Sequence, residues 1–287
     1  MAGDPGPMVR RRQLSALLHH YRVKSGLSAK DVAEQMFEAP SKITRIEKGQ
    51  RLASVRDIAD LSRIYRLPDT VRDQLMDLAR GSRERQWWQV TGLSPALQTL
   101  IGMEGSAQSI SQYEGAGIPG LLQTPDYADG IMRLWAPEPA KRAELVTIRM
   151  RRQEILRAHE PPDVRVVLDE AAVRRAVGGR EVMREQLHHL SEVASGGKCD
   201  VRIIPFSAGA HSGLTNGFTI LEFGNLTSLP DETPIPGIVF LELSDGDRYL
   251  DSADDVAYHL ARFERVRRQA LTTEESIELL RTAAAGL

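Results

Sequence analysis

Between residues 10 and 79 the chain carries so many helix start and stop signals that only short helices fit between them. Leu14, Leu17, Leu18 and Tyr21 recur at helical spacing over residues 10–25, and Gly26 then supplies a C-terminal stop. Ser28 is an N-cap for a second helix, and Asp31, three residues on, puts a carboxylate near its positive end. Pro40 opens a third helix at a position whose N–H would lack an intrahelical partner anyway, and Gly49 closes it. Ser54 caps a fourth, with Val55, Ile58, Leu61, Ile64 and Tyr65 facing inward. A fifth, over residues 70–79, uses Val71, Leu75 and Leu78. Together these helices predict one compact all-helical domain.

The second and third helices are amphipathic. Val32, Ala33 and Met36 form the inner stripe of one, and Ile43 and Ile46 that of the other. That leaves Ser41, Thr44, Arg45 and Lys48 together on the opposite face of the third helix. Short hydroxyls, one fork-shaped cation and one flexible ammonium suit base edges and phosphates in a major groove. Charge is distributed to match. The net charge is −2, but residues 1–85 hold 17 Lys+Arg against 11 Asp+Glu, or +6. The remainder holds 20 against 28, or −8, so a small basic module precedes a larger acidic body.

The Gly- and Pro-rich first eight residues are expected to be unstructured, and GSRERQ (81–86) has linker composition. This sets domains at 9–81 and 82–287, with Trp87 and Trp88 expected to be buried. Beyond the linker, helices are predicted at 94–101, 125–135, 139–158, 180–195, 253–270 and 273–284. Strands are predicted at 164–169, 200–206, 218–223 and 238–243, with 248–250 as a short partner and Asp245-Gly246-Asp247 as a hairpin signal. Helices precede, interrupt and follow the strands, so the second domain reads as α+β without a regular βαβ winding. No apolar run approaches the roughly 18 residues of a membrane helix, and the N-terminus lacks an apolar signal core. A cytoplasmic protein with no membrane partner is the expectation. The single cysteine, Cys199, excludes an intrachain disulfide and any multi-cysteine metal cluster.

GLSAKDVAEQM (26–36) followed by APSKITRIEKGQR (39–51) resembles the helix-turn-helix domain of the xenobiotic-response-element and lambda-repressor-like regulators. YEGAGIPGLLQTPDYA (113–128), RRQEIL (151–156), VVLDEAAVRR (166–175) and IIPFSAGAHSG (203–213) resemble the large C-terminal domain of unknown function found in many actinobacterial regulators of this type. The resemblance implies a five-helix lambda-repressor-like DNA-binding domain followed by a larger α+β domain. It also implies a homodimeric transcriptional regulator of double-stranded DNA, often encoded beside a small partner protein. On this likeness, Pro40, Ser41, Lys42, Thr44 and Arg45 lie nearest to base edges, with Arg45 the bidentate guanine contact or else a phosphate contact. Lys42, Lys48, Arg51 and Lys30 are expected to hold phosphates, and Arg22 and Glu47 to form a structural pair tying the first helix to the third. Three positions depart from the pattern: Phe37 and Glu38 stand in the turn, and Ala39 replaces the usual Ser or Thr cap, a loss of about 1 kcal/mol of helix-start stability.

The large domain holds Asp169, Glu170, the His188-His189 pair, Cys199 and Ser207 to Ser212, but no catalytic spacing joins them. Adjacent histidines on a helix point about 100° apart and cannot face one metal. Asp169 and Glu170 are placed to cap the next helix. No enzyme activity, cofactor or metal is therefore expected. The loops GIPGLLQTPDYA and PFSAGAHSGLTNG could line a small-molecule effector pocket or a protein-partner groove, with Tyr113, Gln123, Tyr127, Phe206 and His211 as contacts. The alternative to a signal-responsive regulator is an antitoxin-like protein that binds a small partner protein and autoregulates its operon.

Overall fold

A proline at the first helical position begins the folded chain. α1 (Pro7–Lys24) starts where a missing N–H removes no intrahelical bond, so the last residues of the stretch expected to be unstructured are helical. The computed structural model describes residues 6–84, 87–88, 93–224, 237–243 and 246–287. The chain forms two compact units, residues 1–106 with 223–235 and residues 107–222 with 236–287.

In the first unit α1 is followed by α2 (Ala29–Met36), α3 (Pro40–Glu47), α4 (Val55–Ile64), α5 (Asp69–Gly81) and α6 (Pro95–Glu104). Capping boxes start α2 and α4: Ser28 with Asp31 and Ser54 with Asp57 each exchange two hydrogen bonds with the first turn. The helices close over Leu14, Leu17, Leu18, Tyr21, Val32, Ala33, Ile43, Ile46, Ile58, Leu61, Val71 and Leu75. Val55, expected to face inward, is exposed, because it directly follows the cap and the inner stripe begins at Ile58. Trp87 and Trp88 are half-buried rather than buried, edge to face with each other. Gly102 of α6 lies against Met8 of α1 and Trp88, where a Cβ would come within 2.9 Å of the Met8 side chain. That packing carries the first unit past the linker placed near residue 82, of which Arg85 and Gln86 lie outside the described residues.

The second unit runs β1 (Ser109–Glu114), α7 (Pro125–Met132), α8 (Pro139–Arg152), β2 (Asp163–Asp169), α9 (Glu170–Arg174), α10 (Arg180–Ser195), β3 (Cys199–Ile204), β4 (Phe218–Glu222), β5 (Ile238–Leu241), β6 (Arg248–Leu250), α11 (Ala253–Gln269) and α12 (Thr273–Ala285). Its six strands form one sheet in the order β3-β2-β1-β4-β5-β6. β1, β2 and β3 are parallel and joined by helical crossovers, whereas β4, β5 and β6 are antiparallel additions on the other side of β1. The unit is α+β, with half its sheet wound as βαβ units. The antiparallel β5–β6 pairing is present, although Asp245 of the hairpin signal lies outside the described residues. Phe263 and Val266 of α11 cover one face of the sheet, against Tyr113, Val167, Ile204, Phe218, Ile220 and Val239. The central strand β1 has no place in the pattern read from the sequence. SISQYE is polar to the eye, yet Ser111 and Gln112 are buried because both faces of the sheet are covered there.

Candidate nucleic-acid interface

The apolar stripe of α3 orients its polar face. Ile43 and Ile46 sink into the core of the first unit, and the Ser15 hydroxyl of α1 donates to the Ile46 carbonyl at 2.7 Å. Ser41, Arg45 and Lys48 are therefore exposed, and Thr44 is half-buried with its hydroxyl donating to the Pro40 carbonyl at 3.2 Å. Lys48 is the C-cap residue, so its side chain leaves from the helix end. Arg51 is exposed just beyond, and Lys30 is exposed on the first turn of α2. Arg56, on the first turn of α4, is a further exposed cation that the motif did not single out.

Two buried ion pairs hold α3, one at each end. At its C-terminal end, Arg22 Nε and Nη2 donate to the two Glu47 oxygens at 2.7 and 3.0 Å, and Nη1 donates to the Leu27 carbonyl at 2.8 Å. The fork tying α1 to α3 is bidentate, and His19 lies 3.0 Å from the same carboxylate. The hydrogen bonds to Glu47 raise the Arg22 pKa above its ordinary value.

At the N-terminal end, Lys42 corrects the expectation drawn from the motif. Its side chain is buried, and its ammonium lies 2.6 Å from Asp57 Oδ1 and 2.7 Å from Glu38 Oε1. It cannot hold a phosphate or read a base edge without leaving both carboxylates, so Lys42 positions α3 instead. Burial opposes the charges of Lys42 and Asp57, but their mutual hydrogen bond, with those from Glu38 and Ser54, outweighs it. The lysine is shifted up and the aspartate down. Glu38, whose charge would repel phosphate, is the surface partner of this pair.

The turn before α3 is strained. Phe37 has φ +54°, in the left-handed region that favours glycine, and its side chain is 96% exposed. Ala39 supplies no side-chain cap to α3, and Pro40 stands at the first helical position.

The residues proposed to line an effector pocket separate into three kinds. Gln123 and Tyr127 are corrected, because their polar atoms brace the loop from within. Gln123 accepts from Arg149 Nη1 at 2.8 Å and donates to the Ile118 carbonyl at 2.7 Å, and the Tyr127 hydroxyl accepts from the Ile118 N–H at 3.0 Å. His211 is buried with both ring nitrogens engaged. The Gly213 N–H donates to Nδ1 at 3.2 Å, so Nε2 carries the proton and faces Asp169 Oδ2 at 3.1 Å. Phe206 is exposed and Tyr113 is buried. Asp169 also caps α9, and Glu170 accepts from the Phe206 N–H and from Arg174. Cys199 is buried, which pushes its thiol up to about 11.

Among the described residues no helix is long and apolar enough to cross a membrane. No curated protein and no solved structure matches the chain. A Helix-turn-helix domain model matches residues 13–75, which span α1 to α4 and the start of α5. The chain therefore has a DNA-binding helix-turn-helix domain at its N-terminus. The model of the Domain of unknown function (DUF5753) matches residues 97–282, the larger part of the chain, which belongs to that family.

Proposed function

We propose that this protein is a sequence-specific transcriptional regulator of the xenobiotic-response-element, lambda-repressor-like type. It binds operator DNA as a homodimer and answers to a ligand or protein partner through its α+β unit. One observation carries the DNA reading: Ser41, Thr44 and Arg45 share the open face of a short helix that buried ion pairs clamp at both ends. A rigid helix presenting a guanidinium and hydroxyls suits direct readout in the major groove. Arg45 pairs with a guanine there, Ser41 and Thr44 pack beside it, and Pro40 sets the entry of the helix. Lys30, Lys48, Arg51 and Arg56 hold the flanking phosphates.

A dimer of such domains reads two half-sites about one helical turn apart, so the operator is a palindrome. An electrophoretic shift with a palindromic site selected from genomic fragments tests this. Arg45→Ala should weaken binding by roughly 10- to 100-fold, the worth of one good bidentate base contact. It should also relax preference at one base pair. Unchanged affinity at moderate salt sinks the assignment of α3 as the reading helix.

A further inference from the structure

At the carboxyl end of β1 and on the facing helix α11, two buried side chains each hold one polar atom without a partner among the described residues. Tyr113, at the end of β1, is 1% exposed, yet its hydroxyl has no hydrogen-bond partner among the described residues. Glycines surround it: a Cβ on Gly213 would come within 2.6 Å of that oxygen, and one on Gly115 within 3.3 Å. Arg262 of α11 is 5% exposed. Its Nε donates to the Ser212 carbonyl at 2.8 Å, and its Nη2 to Thr215 Oγ1 at 2.7 Å and the Asn216 carbonyl at 3.0 Å. Nη1 has no partner among the described residues.

Phe218 brings the two side chains together. The guanidinium carbon lies 4.5 Å from the centre of its ring, and the Tyr113 ring centre lies 6.0 Å from it. Every acceptor around Arg262 is a neutral oxygen, an expensive way to bury a cation unless an anion completes the site. Of the strand-end acids, Asp169 is engaged by His211 and by the cap of α9, and Glu114 by the Gln112 amide. The rim is apolar: Leu214, within the loop that Arg262 clasps, is 65% exposed, and Tyr258, one turn before Arg262, is 60% exposed. A guanidinium nitrogen and a hydroxyl, both on side chains packed against Phe218 and both without a partner among the described residues, suit a single negative charge. The edge beyond the carboxyl ends of parallel strands is also where open sheets of this kind take ligands.

We propose that Tyr113 and Arg262 receive the carboxylate of an apolar monoanion, whose body rests on Leu214 and Tyr258. This rests on the signal-receiving role given to the α+β unit and names the chemistry of the signal. The probes are 4-methylpentanoate, its neutral amide, and a short peptide ending in a free leucine carboxylate, each added to the full-length protein. Thermal unfolding should show a Tm rise of about 5 °C with a carboxylate at about a hundredfold excess over its Kd. The amide should give none. A rise with the free acid alone identifies a small molecule as the source, and a rise with the peptide alone identifies a chain terminus. Tyr113→Phe and Arg262→Lys should each weaken the response at least tenfold.

Because the hydroxyl bonds nothing among the described residues, unliganded Tyr113→Phe should melt no lower than wild type, so this variant stands even if Arg262→Lys folds poorly. A lower Tm for unliganded Tyr113→Phe, an equal response in wild type and Tyr113→Phe, or no response to either carboxylate overturns the site. Carboxylate binding that leaves operator affinity unchanged keeps the site and removes its role as a signal.

Discussion

In the helical unit, Lys42 and Arg22 meet Asp57 and Glu47 at 2.6 and 2.7 Å, while in the sheet unit Glu114 and Arg262 are set into the fold without an opposite charge on them. Among the described residues Glu114 accepts only from the Gln112 amide, and the charge that adds to its upward shift is the like-signed Glu242. Both units therefore bury ionised groups, with different consequences. Paired charges fix one arrangement and hold it over a wide pH range. Unpaired ones titrate, or take a counter-charge from outside. The contrast fits a reading head that must stay rigid and a body that must respond.

The largest effect should come from breaking a pair. Glu47→Ala leaves the part-buried Arg22 without a counter-charge, with the Leu27 carbonyl and the His19 ring nitrogen beside it, and should destabilise the helical unit by about 3 kcal/mol. Arg22→Met with Glu47→Leu should recover most of that, since two apolar groups leave no charge behind. Urea unfolding of the two variants tests the pairing, and a loss below about 1 kcal/mol in the single variant would show that solvent already screens it. The pH response follows from the pair at the other end. Asp57 is shifted down, so its contribution is complete above its unfolded pKa and fades below about pH 4. Lys42 is shifted up, so its contribution is complete below its unfolded pKa and fades only in strong alkali. Between those limits the clamp is flat with pH.

Glu114 should behave in the opposite sense. Burial, chiefly, pushes its carboxyl up to about 7, with Glu242 adding to the shift. The unfolded chain loses that proton near pH 4, so stability falls as pH rises from there to about 7, by up to about 1.4 kcal/mol per unit. Glu114→Gln should flatten the slope and stabilise the protein at pH 8 by about 2 kcal/mol. Unfolding of both proteins at pH 5 and pH 8 makes the comparison. A wild-type slope that survives in Glu114→Gln means another group titrates.

The helical unit was the more legible because its signals are local. Caps such as Ser28 and Ser54, stops such as Gly26 and Gly49, and stripes such as Leu14 to Tyr21 act within a turn or two of themselves. Lys42 was misread for the complementary reason. The family likeness puts it at the groove, while its partner Asp57 stands on the next helix and no local pattern reveals the ion pair. In the sheet unit, β1 escaped notice because its buried Ser111 and Gln112 break the apolar run that marks a covered strand. Gln123 and Tyr127 looked like ligand contacts because polar and aromatic groups in a Gly-Pro loop suit a pocket. Their true partners, Arg149 and the Ile118 backbone, are supplied by a crossover helix and by the loop itself. The unbonded atoms of Tyr113 and Arg262 have no trace in the sequence, since being unbonded is a property of the folded surroundings.

The smallest effect concerns a cost in the helical unit that is conformational rather than electrostatic. Phe37 ends α2 with φ +54°, and almost all of its ring lies in solvent, so nothing in the unit recovers the strain by burying it. Glycine adopts that backbone freely, although it gives up more freedom on folding. The balance predicts that Phe37→Gly stabilises the unit by about 0.5–1 kcal/mol. Paired charges and a relaxed turn would then act in the same direction, and operator affinity should stay within twofold of wild type. If affinity falls instead while stability rises, the exposed ring is itself part of what meets the DNA. The helical unit would then resemble the sheet unit, holding an unfavourable group in place for the sake of what it binds.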